Sequence, residues 1–411
     1  MLKANDRLIP VTTADGYNSV LKAVAAKESG DRCILVKTAD GYATPIKCRP
    51  INKSGQRGIL VKTADGVMVP VTFEHIPQII YAGGNFDVTS GKCISQWDGA
   101  SWLPLGSGLN STCTSLKLDS AGNLYAVGAF TTAGGNTANR IAVWDGSEWS
   151  TLGSGFNGTV HSIAIDSNDI IYCGGDFTTA GGNTANYIAQ WSGSAWSQVG
   201  DGFNGAVLSI DVDSANNLYA CGNMTASGST TLYYAAKWNG SAWSSLGSAF
   251  YYPNSGSWRS IAVDSSGNIY AAGTVYIEDP YGGMSLVAKW NGSTWDDVGD
   301  PFTNVEVHQY DGTLYVIDID SSDNIYCGGN YNDGVIGVCI TRWTGSEWEM
   351  IGGGVNNTVR AISFDEENNL YIGGEFYPPS LNHIGKYDGS SLSNIGAGIS
   401  GGIYSIAVKQ I

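Results

Sequence analysis

Four histidines, eight cysteines and a few clustered carboxylates are the residues of this 411-residue chain whose types could do chemistry beyond packing. His75, His161, His308 and His383 show no His-x-x-x-His spacing and no adjoining acidic cluster. No Cys-x-x-Cys occurs either, so nothing in the spacing supports a zinc site. The run Asp318-Ile-Asp320-Ser-Ser-Asp323 approximates a calcium loop but lacks its glycine and terminal glutamate. It is read as a strand end and turn. Cys33 and Cys48 are symmetric about Asp40–Gly41 and could face each other across a hairpin. A two-residue turn would put them at a hydrogen-bonded pair, a poorer site for a bridge, and bridged and free states both stay open. No metal or cofactor is expected.

The elements that must position these residues are written in the composition. The chain has 56 Gly, 13 Trp and 22 Tyr with only 14 % charged residues, which suits many short strands joined by tight turns. A 43 % hydrophobic fraction can bury a sizeable core, which excludes a disordered chain. Thirty-seven acidic against 21 basic residues give a net charge of −16, so binding to nucleic acid by the whole protein is not expected. The start MLKANDRLIPVTT carries no signal-like apolar run, and nothing approaches about 18 consecutive apolar residues. The expectation is cytoplasmic synthesis without membrane insertion.

Charge divides the chain. Residues 1–80 hold 11 Lys/Arg against 7 Asp/Glu, a net of +4, and the remaining residues hold 10 against 30, a net of −20. All 13 Trp lie in the acidic part. The predicted boundary falls at Pro77, giving domains 1–77 and 78–411.

The second domain is a repeat. Tyr81, Tyr125, Tyr172, Tyr219, Tyr270, Tyr326 and Tyr371 recur at intervals of 44, 47, 47, 51, 56 and 45 residues. Trp97, Trp144, Trp191, Trp238, Trp290, Trp343 and Tyr387 follow, each two residues before a glycine, with a second Trp five residues later in six copies. Each unit reads as four strands: SIAID, IYCGG, YIAQW and AWSQVG in the copy spanning 162–203. Asp-rich and W-[DNST]-G-S turns join them. Seven such units predict an all-β, seven-bladed β-propeller. The first copy, at QIIYAGG (78–84), lacks its first strand, and the chain end IYSIAVKQI (403–411) matches it, so the C-terminal strand should close the ring. The Trp pairs and the buried Cys173 and Cys327 are read as packing.

Before this stand three 25-residue repeats beginning at Arg7, Arg32 and Arg57, each carrying an Ala-Asp-Gly turn at Asp15, Asp40 and Asp65. They read as three β-hairpins, with NSVLKAVAAKES (18–29) ambiguous because it would look helical in isolation. Hairpins alone are marginal, so this module is expected to pack on itself, on the propeller or on another chain.

Candidate binding residues come from the segments that break the repeat: FYYPNSGSW (250–258), TVYIEDPYGGM (274–284) and TNVEVHQYDGT (303–313). In propeller order these connections fall on one face. They bring Tyr251, Tyr252, Trp258, Tyr276, Glu278, Tyr281 and Tyr310 to one side, where exposed aromatics beside acids would suit sugar stacking or a protein contact. Loops folding over their own aromatics is the equal alternative.

The units GGDFTTAGGNTANYIAQWSGSAWSQVGDGFNGAVLSI (174–210) resemble kelch-like propeller repeats of virion proteins of tailed bacteriophages, over about residues 78–411. The W-D-G turns are similar to WD-type repeats without their Gly-His signature. A more distant likeness to the galactose-oxidase propeller implies a copper site with paired His ligands and a Tyr–Cys cross-link, which the four histidines here do not supply. The phage resemblance implies a non-enzymatic virion component, of decoration, collar or tail-fibre type. Residues 1–77 would dock on other virion proteins while the propeller meets a host-surface glycan. The oligomeric state is left open. A carbohydrate-active enzyme using Glu278, Asp279, Asp300 or Glu306, and an intracellular interaction scaffold, are the alternatives.

Overall fold

The alternating segments of each repeat do form strands, and the structure, a computed structural model, arranges them as seven four-stranded antiparallel sheets. In the propeller the backbone is described for residues 78–410 except 89–90, 248–255, 277–282, 299–312, 331–338 and 379–380. In residues 1–77 it is described for seven strands only, and side chains are described neither there nor at 87–91, 256 and 274–286. Among the described residues there is no helix, and none long and apolar enough to cross a membrane. The contacts divide the chain into two compact units, Met1–Pro77 and Gln78–Ile411.

In the first unit Arg7–Thr12, Asn18–Val24 and Cys33–Thr38 are adjacent strands of one sheet, and Gly58–Lys62 pairs with Met68–Thr72. The ambiguous stretch is therefore a strand at its start. Pairing on both edges outweighs a helical propensity worth only tenths of a kcal/mol per residue. The register sets Lys47, not Cys48, opposite Cys33, one residue away from the symmetric pairing that a bridge would need. Cys48 lies outside the described residues.

The second unit is a seven-bladed propeller. Blade 1 runs, from rim to axis, Trp102–Pro104, Gly91–Trp97, Gln78–Val88 and Gly401–Gln410, so the C-terminal strand supplies its innermost member. The inner strands of blades 2 to 7 are Cys113–Leu118, Val160–Ile165, Val207–Val212, Gly256–Val263, Thr313–Ile319 and Val359–Phe364.

Every inner strand carries a β-bulge near its start. The residue before the bulge pairs with a second-strand glycine: Cys113 with Gly128, Val160 with Gly175, Trp258 with Gly273, and so on round to Ile403 with Gly84. Trp258 is thus a repeat position after all. It is wholly buried against Cys221 and Trp295, not displayed on a binding face. The sequence reading missed this because a Trp fills a column that elsewhere holds Val, Leu, Ile or Cys.

Blades are joined by recurring bonds. The indole N–H of Trp149 donates to the Leu105 carbonyl of the preceding blade at 2.8 Å, Trp196 to Leu152 at 2.9 Å and Trp243 to Val199 at 3.0 Å. Serines of the inner strands accept the next blade's amide: Ser405 from Leu116, Ser162 from Ile210, Ser209 from Ile261 and Ser260 from Ile317. At the inner turns Asp320 accepts the amides of Ser322 and Asn324 and the Asn324 side chain, which makes this stretch a capped turn. Cys93, Cys113, Cys173, Cys221, Cys327 and Cys339 are buried within the blades.

Candidate ligand-binding site in the central channel

The seven inner strands enclose a cavity of about 340 Å³ on the propeller axis. That lies within the range of small-molecule pockets. Its lining follows from the bulges. A bulge leaves one residue out of the ladder and re-aims its side chain, and the same column is bulged in all seven blades. Beginning at blade 1, the re-aimed residues are Tyr404, Thr114, His161, Leu208, Arg259, Tyr315 and Arg360, and all seven line the cavity. They sit at the starts of the inner strands. This is the end of the channel onto which the fourth-to-first and second-to-third strand connections open.

This mouth is uneven in charge. Blades 5, 6, 7 and 1 form an arc in the order Arg259, Tyr315, Arg360, Tyr404. The Arg360 guanidinium lies 4.1 Å from the Tyr315 ring centre and 5.4 Å from that of Tyr404, and Arg259 lies 5.4 Å from Tyr315. Cation–π contacts of this kind hold a guanidinium by its face and leave its N–H edges to donate. Arg360 also donates Nε to Glu375 at 2.9 Å, and His161 meets Asp176 at 2.9 Å across the equivalent register of blade 3.

Three residues further along each inner strand, about 10 Å deeper at strand spacing, is a second ring. Three of its members that line the cavity are small, Ala262, Ser363 and Ala407, and three are Lys117, Asp211 and Asp318, while Ala164 is buried in the core behind it. Both aspartates are ringed by protein yet keep part of their surface on the channel. Asp211 accepts the amides of Val212 and Val263, and Asp318 accepts that of Ile319. Burial pushes the Asp318 carboxyl up to about 6, with Lys117 opposing the rise and Asp211 adding to it. Asp211 is raised for the same first reason, again against Lys117. The sequence reading placed this run at a strand end and turn, and Asp318 does lie in the strand end, with the turn beginning at Asp320.

The sign of the pH effect follows. Because the folded-state value lies above the ordinary 3.8, the folded protein holds the Asp318 proton more tightly. Stability from this site is present below pH ~4 and lost as pH rises through ~6. Asp318→Asn is therefore expected to stabilise the protein at pH 7 by about 1–2 kcal/mol, allowing for screening by channel water, and by almost nothing at pH 3.5. Denaturant midpoints at the two pH values check it. Destabilisation at pH 7 that shrinks at pH 3.5 would show that the carboxylate is a required anion.

Of the residues nominated from sequence, Tyr251, Tyr252, Glu278, Tyr281 and Tyr310 lie outside the described residues, as do Asp279, Asp300, Glu306, Arg32, Arg57, Asp15, Asp40 and Asp65. The backbone is described at Tyr276, which ends a strand, and at Arg7, which begins one, but their side chains are not. Trp258 is removed from the candidates by its burial. The structure brings together a set that sequence reasoning did not name: His161, Arg259, Tyr315, Arg360 and Tyr404 at the mouth, with Lys117, Asp211 and Asp318 below. Stacking the seven copies on their first strand would have exposed these as its charged and variable columns.

Comparison with known proteins bears on the fold. The Rax2 C-terminal β-propeller domain matches residues 145–310. No curated protein sequence matches the chain. Among solved structures, a protein from Lactobacillus plantarum superposes with a TM-score of 0.50 at 11 % identity, over 81 % of this chain and 99 % of its own. An ancestral GH74 enzyme gives 0.48 at 16 % identity, over 72 % of this chain and 43 % of its own. YCF48 bound to a D1 peptide gives 0.44 at 11 % identity, over 69 % and 82 %. These likenesses concern the fold alone. The chain carries a seven-bladed β-propeller, similar through its central blades to the Rax2 C-terminal propeller domain.

Proposed function

We propose that the protein is a non-enzymatic attachment component of a phage-type particle, whose propeller recognises a host-surface saccharide at the mouth of its central channel. One observation carries the binding part. Seven bulged residues from seven blades converge on one cavity, and six of them, all but Leu208, are hydrogen-bonding or aromatic groups, the chemistry that saccharide hydroxyls and ring faces require. The docking part draws on the basic first unit, on the acidic propeller and on the resemblance to virion repeats. Both floor carboxylates accept backbone amides, which suits a structural role for them.

A second reading has its own support. Asp211 and Asp318 share one level of the channel, and a carboxyl raised to about 6 is the state a glycosidase acid needs. One experiment separates the two. Full-length protein and residues 78–411 are each incubated with host polysaccharide and with particles. Retention of polysaccharide by both proteins without new reducing ends, and particle incorporation of the full chain alone, is the expected outcome. New reducing ends that disappear in Asp318→Asn would establish the enzyme, and incorporation of residues 78–411 would refute docking through the first unit.

A further inference from the structure

We infer that the Arg259–Tyr315–Arg360–Tyr404 arc is a subsite for the carboxylate of an acidic sugar, so that the saccharide recognised is a uronic-acid type. This inference rests on the reading of the channel mouth as a saccharide site. Four consecutive blades alternate cation and aromatic ring, and both arginines are held against the same Tyr315 ring, 4.1 and 5.4 Å from its centre. Two guanidiniums held beside one ring at the cavity wall offer N–H donors there at a reduced cost in side-chain freedom. Arg360 spends Nε on Glu375, and a guanidinium carries four further N–H donors. Arg259 brings a second fork from two blades away. Paired forks of this kind match the two oxygens of a carboxylate.

Charge in the rest of the channel sets the depth of such a ligand. Within the arc Glu375 pairs with Arg360, which leaves Arg259 as its excess cation among the described residues, while Asp176 meets the His161 ring outside the arc in blade 3. Below, Lys117 stands against both Asp211 and Asp318, an excess of negative charge. A carboxylate entering from the mouth therefore stops at the arginines, and the uncharged part of the sugar reaches the small residues beneath. The strongly acidic outer surface does not forbid this. Its field is screened within about 8 Å at physiological salt, whereas the arc acts at contact distance. The same surface repels polyanions that do not fit the channel.

The test compares three ligands on the full chain by calorimetry: trigalacturonate, its fully methyl-esterified form and a neutral trisaccharide. The acid is expected to bind at least tenfold more tightly than the ester, with the advantage shrinking as salt is raised. Arg259→Gln is expected to erase the preference while leaving thermal stability unchanged, since Arg259 is exposed at the lumen. Arg360→Gln serves as the second variant, with the melting temperature reporting any loss of the Glu375 pair. Equal affinity for acid and ester, or an acid preference that survives in Arg259→Gln, overturns the inference. Binding of the neutral sugar without any acid preference would overturn it while leaving the saccharide reading intact. Failure of all three ligands would overturn both.

Discussion

Truncation after Ser400 is expected to abolish cooperative folding of the propeller, although it removes only the last eleven residues. Those residues are the inner strand of blade 1, which pairs with Gln78–Val88 through nine register pairs, from Gly401 opposite Phe86 to Gln410 opposite Gln78. Ile403, Ile406 and Ala407 are buried, with Ile403 and Ile406 in the cluster between blades 7 and 1. Losing two isoleucines alone withdraws about 3–6 kcal/mol of burial, against a typical stability of 5–15 kcal/mol. The strand also gives the Ser405 hydroxyl that accepts the Leu116 amide of blade 2 and the Lys409 ammonium that reaches the Gly122 carbonyl. Its removal strips Gln78–Val88 of its partner and leaves that long strand as a new unpaired edge, an invitation to aggregate. Calorimetry and gel filtration check this, with loss of a single transition and appearance of large species expected. A chain carrying the same eleven residues before Gln78 through a short turn should fold again, because that connection restores the first-to-second-strand order of the other blades. Normal melting of the truncated chain would show that the ring does not depend on this closure.

Gly175→Ala carries the second large effect. This glycine pairs with Val160 at the blade 3 bulge, and a Cβ there would collide with the Thr159 carbonyl and press on the Val160 backbone. The obstacle is main chain, so no side-chain rotation relieves it. Overpacking of this kind costs about 1–3 kcal/mol or more, well above the ~0.4–1 kcal/mol that Gly→Ala ordinarily returns through the unfolded state. A net loss of about 2 kcal/mol is expected from denaturant titration. The equivalent Gly374→Ala in blade 7 meets the Thr358 carbonyl in the same way, and the two losses should add because the sites are far apart. A stability-neutral Gly175→Ala would mean that the bulge can flatten, and the aim of the mouth ring would then be soft as well.

The bulge links these stability effects to the candidate site. It needs the glycine opposite, and it also turns His161, Arg259, Tyr315 and Arg360 toward the axis. A strand without a bulge would alternate strictly, and the side chains now at the mouth would be read by simple period-two counting. That counting fails in the first strand of each unit. Burial there falls on Val160 and Ile163, or Val207 and Ile210, three residues apart. The site was therefore hidden even though the four strands of each blade were found. Trp258 illustrates the same limit, since its place in the buried column before the bulge is visible only from its pairing with Gly273.

The strands, the turns, the seven-fold repetition and the closure by residues 403–411 could all be read from the amino-acid sequence by itself. They rest on contacts local to one unit, and each unit repeats the same solution seven times. Asp-rich turns and W-x-G turns act within four or five residues, and the missing first strand of one copy is recognisable at the other end. Only the tertiary structure decided which side chains meet. Lys117, Asp211, Arg259, Asp318 and Arg360 follow one another at intervals of 94, 48, 59 and 42 residues along the chain, and no local pattern ties them together. Their convergence is a product of ring closure, which sets the same two columns of every inner strand around one axis. The net charge of −16 became informative in the same way, because the fold gathers Arg259 and Arg360 at the channel mouth of an otherwise acidic propeller.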